Sequence, residues 1–193
     1  MNKKVSRWII IIVVVLLIGG GSSAWIQTSN RLNAEQQVYQ AQWSQVENQM
    51  QRRYDLIPNV VASVKGDMHQ EQRVFDSIAK ARSNYAKATN TTDKMKADAQ
   101  VNSSVGNLIS VIHERYPQLN SDKRVHELIL ELEGSENRIS VERQRYIRDV
   151  QAYNLSIMNF PSSIVAKAKG MKPQSYYQAT KDAQKAPAVD LDN

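Results

Sequence analysis

The sequence predicts an all-α protein: an N-terminal transmembrane helix followed by an antiparallel up-and-down four-helix bundle. Three observations carry this expectation. An uncharged apolar run, residues 8–26, lies near the start of the chain. From Leu32 to Phe160, apolar residues recur at alternating steps of three and four, the period of a helix face. Only 7 Gly and 5 Pro occur among 193 residues, too few for the many turns of an all-β fold. The organisation this implies is a basic flank over residues 1–7, an anchor over 8–26, a bundle over 27–161 and a partly flexible tail over 162–193.

The anchor reads WIIIIVVVLLI from Trp8 to Ile18, then small residues from Gly19 to Ala24, then Trp25 and Ile26. Its length of ~29 Å as a helix matches a bilayer core. In lipid the backbone groups have no partners but each other, so even Ile and Val become helical. Trp8 and Trp25 stand at the two ends, where indoles favour the membrane interface, and are the expected interface anchors. A cleaved signal peptide is the rival reading, with Ser22-Ser23-Ala24 as small residues for cleavage. The pattern runs smoothly past Ile26 into the next helix, which favours a retained anchor. Lys3, Lys4 and Arg7 precede the run and only Arg31 follows closely, so the N-terminus is expected in the cytoplasm and the bundle outside it. Gly19 with Ser23, and Gly20 with Ala24, form small-xxx-small pairs that leave room for homo-oligomerisation, although such residues can also merely end an apolar run.

The first bundle segment follows Leu32, Tyr39, Trp43, Val46 and Met50, with Gln36 interrupting, and is expected to end near Tyr54 because Pro58 disfavours helix before it. Asp55 then offers an N-cap, or the chain kinks there. The second segment follows Ile57, Val61, Val64, Met68, Phe75, Ile78 and Tyr85 up to a connection at 88–92. The third follows Val101, Val105, Leu108, Ile112 and Tyr116 and stops before Pro117. Asn120 and Ser121 offer the next N-cap, with Asp122 near the positive helix end. The fourth runs from Val125 through Leu128, Leu132, Ile139, Tyr146, Val150, Tyr153 and Ile157 to Phe160. Gly134 inside it costs only ~1 kcal/mol and should not break it. Trp43, Leu128, Leu132 and Ile139 are expected in the core. Gln36, Glu71, Ser135 and Glu142 lie on the apolar stripes and read as rim or register residues, or less simply as a polar site. Beyond Pro161 the residues around Lys167–Pro173 read as a loop, Tyr176-Tyr177 could dock on the bundle, and 181–193 read as flexible.

Composition narrows the chemistry. The chain carries 25 Lys+Arg against 19 Asp+Glu, but setting aside Lys3, Lys4 and Arg7 leaves 22 against 19, well mixed, with no basic stripe for nucleic acid. Zero Cys excludes disulfides, a thiol nucleophile, a Cys-ligated zinc and a lipid anchor on cysteine. His69, His113 and His126 match no metal spacing: His126-Glu127 lacks its second histidine at Leu130, and His113-Glu114 meets Pro117. No histidine has a Glu three positions earlier, as a di-metal bundle site needs. There is no phosphate loop and no nucleophile elbow. The expectation is a protein without catalytic residues, metal or cofactor.

The run Gln51-Arg52-Arg53-Tyr54-Asp55-Leu56-Ile57-Pro58-Asn59-Val60-Val61, followed by Val64-Lys65-Gly66, closely resembles the signature of the LemA family of bacterial membrane proteins. Trp43, Ala81-Arg82, Glu114, Tyr116-Pro117, Glu131-Leu132, Glu136-Asn137-Arg138-Ile139, Arg143, Tyr146, Tyr153-Asn154 and Phe160-Pro161 continue the likeness. The tail Ala186–Leu191 matches too, with Leu191 where an aromatic is usual. The resemblance implies a membrane helix, a four-helix bundle and no established activity. It is often described with the bundle inside the cell, opposite to what the charges here favour. Arg52, Arg53, Asp55 and Asn59 would cluster at the first bundle corner, at the end far from the membrane. Two readings stay open for them: a polar tip that binds a partner, or charges that cap helix ends. The leading expectation is a single-pass adaptor in the bacterial cytoplasmic (inner) membrane. Its partners would be the bilayer, through residues 8–26, and an unidentified envelope protein. The alternatives are a ligand-binding or hydrolytic protein with a polar pocket, and a self-associating, membrane-organising rod.

Overall fold

The computed structural model describes residues 3–176, with side chains at residues 7, 8 and 11–176. It consists of α1 (Lys3–Val64), α2 (Gln72–Lys87), α3 (Thr91–Arg115), α4 (Pro117–Ser121), α5 (Lys123–Met158) and α6 (Ser162–Ala168). Among the described residues there is no strand. Tyr177 and the tail expectations for 181–193 lie outside the described residues.

The described chain falls into two compact units. The first gathers the chain up to Gln42 with Arg148–Gln174, and the second Trp43–Ile147 with Ser175 and Tyr176.

In the first unit, α1 has an apolar window of mean hydropathy 1.8, and none of that window is buried. It is the one helix among the described residues long and apolar enough to cross a membrane. Trp8 and Trp25 are exposed with it. From Leu32 onward the same helix buries a stripe. Leu32 and Tyr39 are inside, with Val150, Tyr153 and Ile157 of α5 and Val165 and Ala166 of α6. The Tyr39 and Tyr153 rings meet at 4.9 Å. Burial pushes both phenols above their ordinary pKa. The tail expected from residue 162 opens with a helix, α6, because Val165 and Ala166 bury one of its faces, and the loop expected around Lys167–Pro173 starts only after Ala168. Lys169 Nζ then donates to Ser29 Oγ at 2.9 Å and Asn33 Oδ1 at 2.6 Å. The Asn154 amide donates to the Gln174 carbonyl at 2.9 Å and accepts from the Gln174 N–H at 2.8 Å.

In the second unit the sequence reading needs correction at the helix ends. α1 does not stop at Tyr54; it runs through Pro58 to Val64. Met50, Arg53, Ile57, Val60 and Val64 are all buried, so one continuous packed stripe outweighs the hydrogen bond that Pro58 cannot donate. Asp55 is therefore no N-cap. The break falls later, at 65–71, where the Val64 carbonyl accepts from Asp67 and Met68 N–H at 3.1 Å each and Met68 is fully buried. The expected single helix from Ile57 to Tyr85 is thus split across α1 and α2.

The next caps are closer to expectation. Asn90 caps α3 by accepting from the Asp93 N–H at 2.9 Å. At the start of α5 the cap is Asp122, which accepts from the Val125 N–H at 2.9 Å, rather than Asn120 or Ser121, which belong to α4. α5 passes Gly134 unbroken.

Leu132 and Ile139 are buried as expected, beside Val105, Leu108 and Ile112 of α3 among the core residues. Trp43 and Leu128 are only half-buried. Trp43 packs on Tyr146 at 5.3 Å, and Ile129 takes the inner position at Leu128's expense. Tyr176 is exposed rather than docked.

Candidate functional site

The continuation of α1 past Tyr54 decides where its polar residues go. Arg53 lies on the buried stripe between Met50 and Ile57, and its side chain is 1% exposed. A guanidinium there must find acceptors inside the protein, since an unpaired buried charge is prohibitively costly. It finds them on α3 and α5. Nη2 pairs with Asp98 Oδ1 and also donates to the Asp98 carbonyl at 3.3 Å. Nη1 pairs with Glu136 Oε2 and donates to Asn102 Oδ1 at 3.3 Å. Arg143, two turns further along α5, reaches the remaining oxygens: its Nη2 pairs with Asp98 Oδ2, and its Nη1 lies 3.4 Å from Glu136 Oε1.

The four side chains form a closed ring, Arg53–Asp98–Arg143–Glu136, with cations and anions alternating. Each carboxylate gives one oxygen to each arginine. The ring is neutral overall, and it ties one turn each of α1 and α3 to two turns of α5. Asp98 is 2% exposed, while Glu136 at 30% and Arg143 at 15% form its wetter side. Arg53 Nε is buried without a hydrogen-bond partner.

Aromatic residues flank the ring. Tyr54 and Tyr85 meet at 5.3 Å, and the Arg82 guanidinium sits 4.4 Å from the Tyr54 ring centre, a cation–π contact. Burial, then the Asp98 and Glu47 carboxylates, push the Tyr85 phenol up to about 12, with Arg53 opposing. Glu47 pairs with Lys94, and both line an open cleft of about 420 Å³ with Gln51, Tyr54 and Tyr85. A larger cleft of about 660 Å³ runs along α2 and α3, lined by Ser77, Lys80, Asn84, Lys96, Gln100 and Ser104 among others. The Ser77 and Ser104 hydroxyls are hydrogen-bonded at 2.8 Å. Among the described residues no group of three or more His, Cys, Asp or Glu is arranged to hold a metal ion.

The four residues expected at a corner lie within a helix, and they separate. Arg53 enters the ring. Arg52, adjacent in sequence but ~100° around the axis, points outward to Glu131 at 3.2 Å. Asn59, two turns after Arg52, lines a cleft of about 380 Å³ that also includes Glu131 and Arg124. Asp55 accepts from Gln51 Nε2 at 2.8 Å on an exposed face.

The other stripe polars are locally satisfied. Ser135 donates to the Glu131 carbonyl, Glu71 pairs with Arg115, and Glu142 pairs with Arg145. Sequence reasoning missed Asp98 and Asn102 altogether, met Arg143 only through the family likeness, and gave Glu136 no role in the interior. A usable signal existed: Asp98 precedes Val101 by three, on the stripe of Val105 and Leu108, and Arg53 continues the stripe of Val46 and Met50 once the helix is not stopped at Tyr54.

The LemA family model matches residues 42–191. That span takes in the whole ring and all three clefts. No curated protein matches the chain.

Proposed function

This chain belongs to the LemA family, and on that premise we propose that it is a single-pass membrane protein whose soluble part is an antiparallel four-helix bundle acting as a non-enzymatic interaction module. In this reading the second half of α1, then α2, α3 and α5 form the bundle. The exposed apolar window of α1 is the anchor, in the cytoplasmic membrane of a bacterial envelope. The bundle lies on the outer side, on the strength of Lys3, Lys4 and Arg7.

The observation that carries the interaction role is the neutral ring. The buried charges of the ring are paired with one another, an arrangement suited to a rigid scaffold rather than to proton transfer or substrate binding. Closed in this way, the ring fixes the register of three helical segments and leaves recognition to the outer faces. The outward set of Arg52, Asn59 and Glu131 is the candidate surface: Asn59 and Glu131 line one cleft with Arg124, and Arg52 adjoins it through its pair with Glu131. The cleft along α2 and α3, with its hydroxyls, amides and two lysines, favours a second reading: a binder of a small polar ligand.

The experiment is in-cell crosslinking with mass spectrometry, comparing wild type with Arg52→Ala/Asn59→Ala. Loss of specific crosslinked proteins with unchanged thermal stability supports the module. An unchanged crosslink map rejects that surface. Sidedness is tested with a cysteine at exposed Lys123. Labelling by an impermeant reagent in cells with an intact cytoplasmic membrane places the bundle outside, and labelling only after lysis reverses the assignment.

A further inference from the structure

Around the turn between α5 and α6, large apolar side chains stay exposed. Phe160 is 82% exposed, Met158 67% and Ile164 54%. Single exposed apolar residues are ordinary, but three of this size within seven positions form a patch. Their place in the first unit is fixed from both sides. Before the patch, Tyr153 packs on Tyr39 of α1. After it, Lys169 is bonded to Ser29 and Asn33 of α1. Ser29 is one helical turn, ~6 Å along the axis, from Trp25 at the end of the apolar window. The chain around the patch also lacks negative charge. Residues 150–176 contain Lys167, Lys169 and Lys172 and no Asp or Glu, and residues 1–34 contain no Asp or Glu either. Exposed apolar side chains on a stretch whose only charges are cations, held beside the end of an apolar helix, match the layered chemistry of a bilayer surface whose headgroups are anionic.

We propose that Met158, Phe160 and Ile164 enter the interfacial layer of the same bilayer that α1 spans, giving the protein a second, shallow membrane contact. The proposal rests on the reading of α1 as a membrane anchor. The aromatic ring of Phe160 and the flexible Met158 lie among the acyl chains nearest the headgroups, and Lys167 and Lys172 face the phosphates.

The chain contains no cysteine, so single cysteines can carry a nitroxide without background. The full chain, labelled at Phe160, Ile164, Leu16 or Lys123 in turn, is reconstituted in vesicles of phosphatidylcholine and phosphatidylglycerol. Collision rates with oxygen and with a water-soluble nickel chelate are then read by electron paramagnetic resonance, after circular dichroism has matched each variant to wild type. The expected result is an oxygen-to-chelate ratio at positions 160 and 164 several-fold above that at 123 and approaching that at 16. A ratio at 160 and 164 equal to that at 123, with position 16 in lipid, overturns the proposal and leaves the patch to a protein partner. A water-exposed position 16 removes the anchor reading itself, and the proposal falls with it.

Discussion

Removing one member of the charge ring should cost far more than removing two of opposite sign, considered per residue. Asp98→Leu leaves Arg53 and Arg143 sharing the single carboxylate of Glu136. Arg53 is 1% exposed, so water cannot replace what it loses, and the cost should be ~3–5 kcal/mol. Arg53→Met is the mirror case, leaving Asp98 and Glu136 to share Arg143, and should cost a similar ~3–5 kcal/mol. If the two changes were independent, the double variant would lose ~6–10 kcal/mol. It should not. Arg53→Met/Asp98→Leu leaves Arg143 facing Glu136, a neutral pair at 3.4 Å whose members are 15% and 30% exposed and so within reach of water. The double variant should be no less stable than the weaker single variant, and the cycle should show a coupling of ~3 kcal/mol or more. The assay is urea unfolding of the full chain in mild detergent, followed by circular dichroism at the helix minimum, with the four proteins compared at one pH and salt. Additivity within ~0.5 kcal/mol would mean that the two side chains do not act as one unit, and the ring argument would fail.

Other expectations follow from the same contacts. Arg52→Ala should cost at most ~1 kcal/mol, because its pair with Glu131 is largely exposed; a loss as large as that of Arg53→Met would show that the two arginines have been assigned to the wrong sides. Leu132→Ala should cost ~2–5 kcal/mol as a buried large-to-small change, and an unchanged urea midpoint would take Leu132 out of the core. For Tyr85, the unfolded phenol ionises near 10.0 and the folded one only near about 12. Between those values ionisation favours the unfolded chain, so stability present below pH 10.0 is lost as pH rises toward about 12. Tyr85→Phe has no such proton to lose. Its midpoint should fall less steeply than wild type across that window, and parallel curves would contradict the assignment.

The helical class was legible because nothing competes with it: the three-four spacing persists on either side of Gly134, and Gly and Pro are scarce. The apolar window was legible for the same reason. The stop before Pro117 was legible too; the end of the first helix was not, and Pro58 shows why. A local rule, the missing donor at a proline, was set against a packed stripe from Met50 to Val64 whose weight becomes visible only when its neighbours are in place. That one misplacement carried the candidate site with it. With α1 stopped at Tyr54, Arg52 and Arg53 became helix-end charges. With α1 continued, the apolar phase set by Met50 and Ile57 puts Arg53 inside and Arg52 outside. Asp98 was hidden differently: a lone acid on an apolar stripe gives no hint of its partners, because Arg53 lies 45 residues before it and Arg143 is on another helix.

The clasp between Asn154 and Gln174 has a bearing on where such a protein can live. Its two hydrogen bonds close a stretch of 20 residues, with the side-chain amide standing in for a second backbone. Extracellular domains often close such stretches with a disulfide, a device that works only where the surroundings are oxidising. A chain without cysteine makes the same closure with an amide, which no thiol can reduce and no oxidant is needed to form. The closed segment is therefore indifferent to redox conditions and would hold equally well on either face of a membrane.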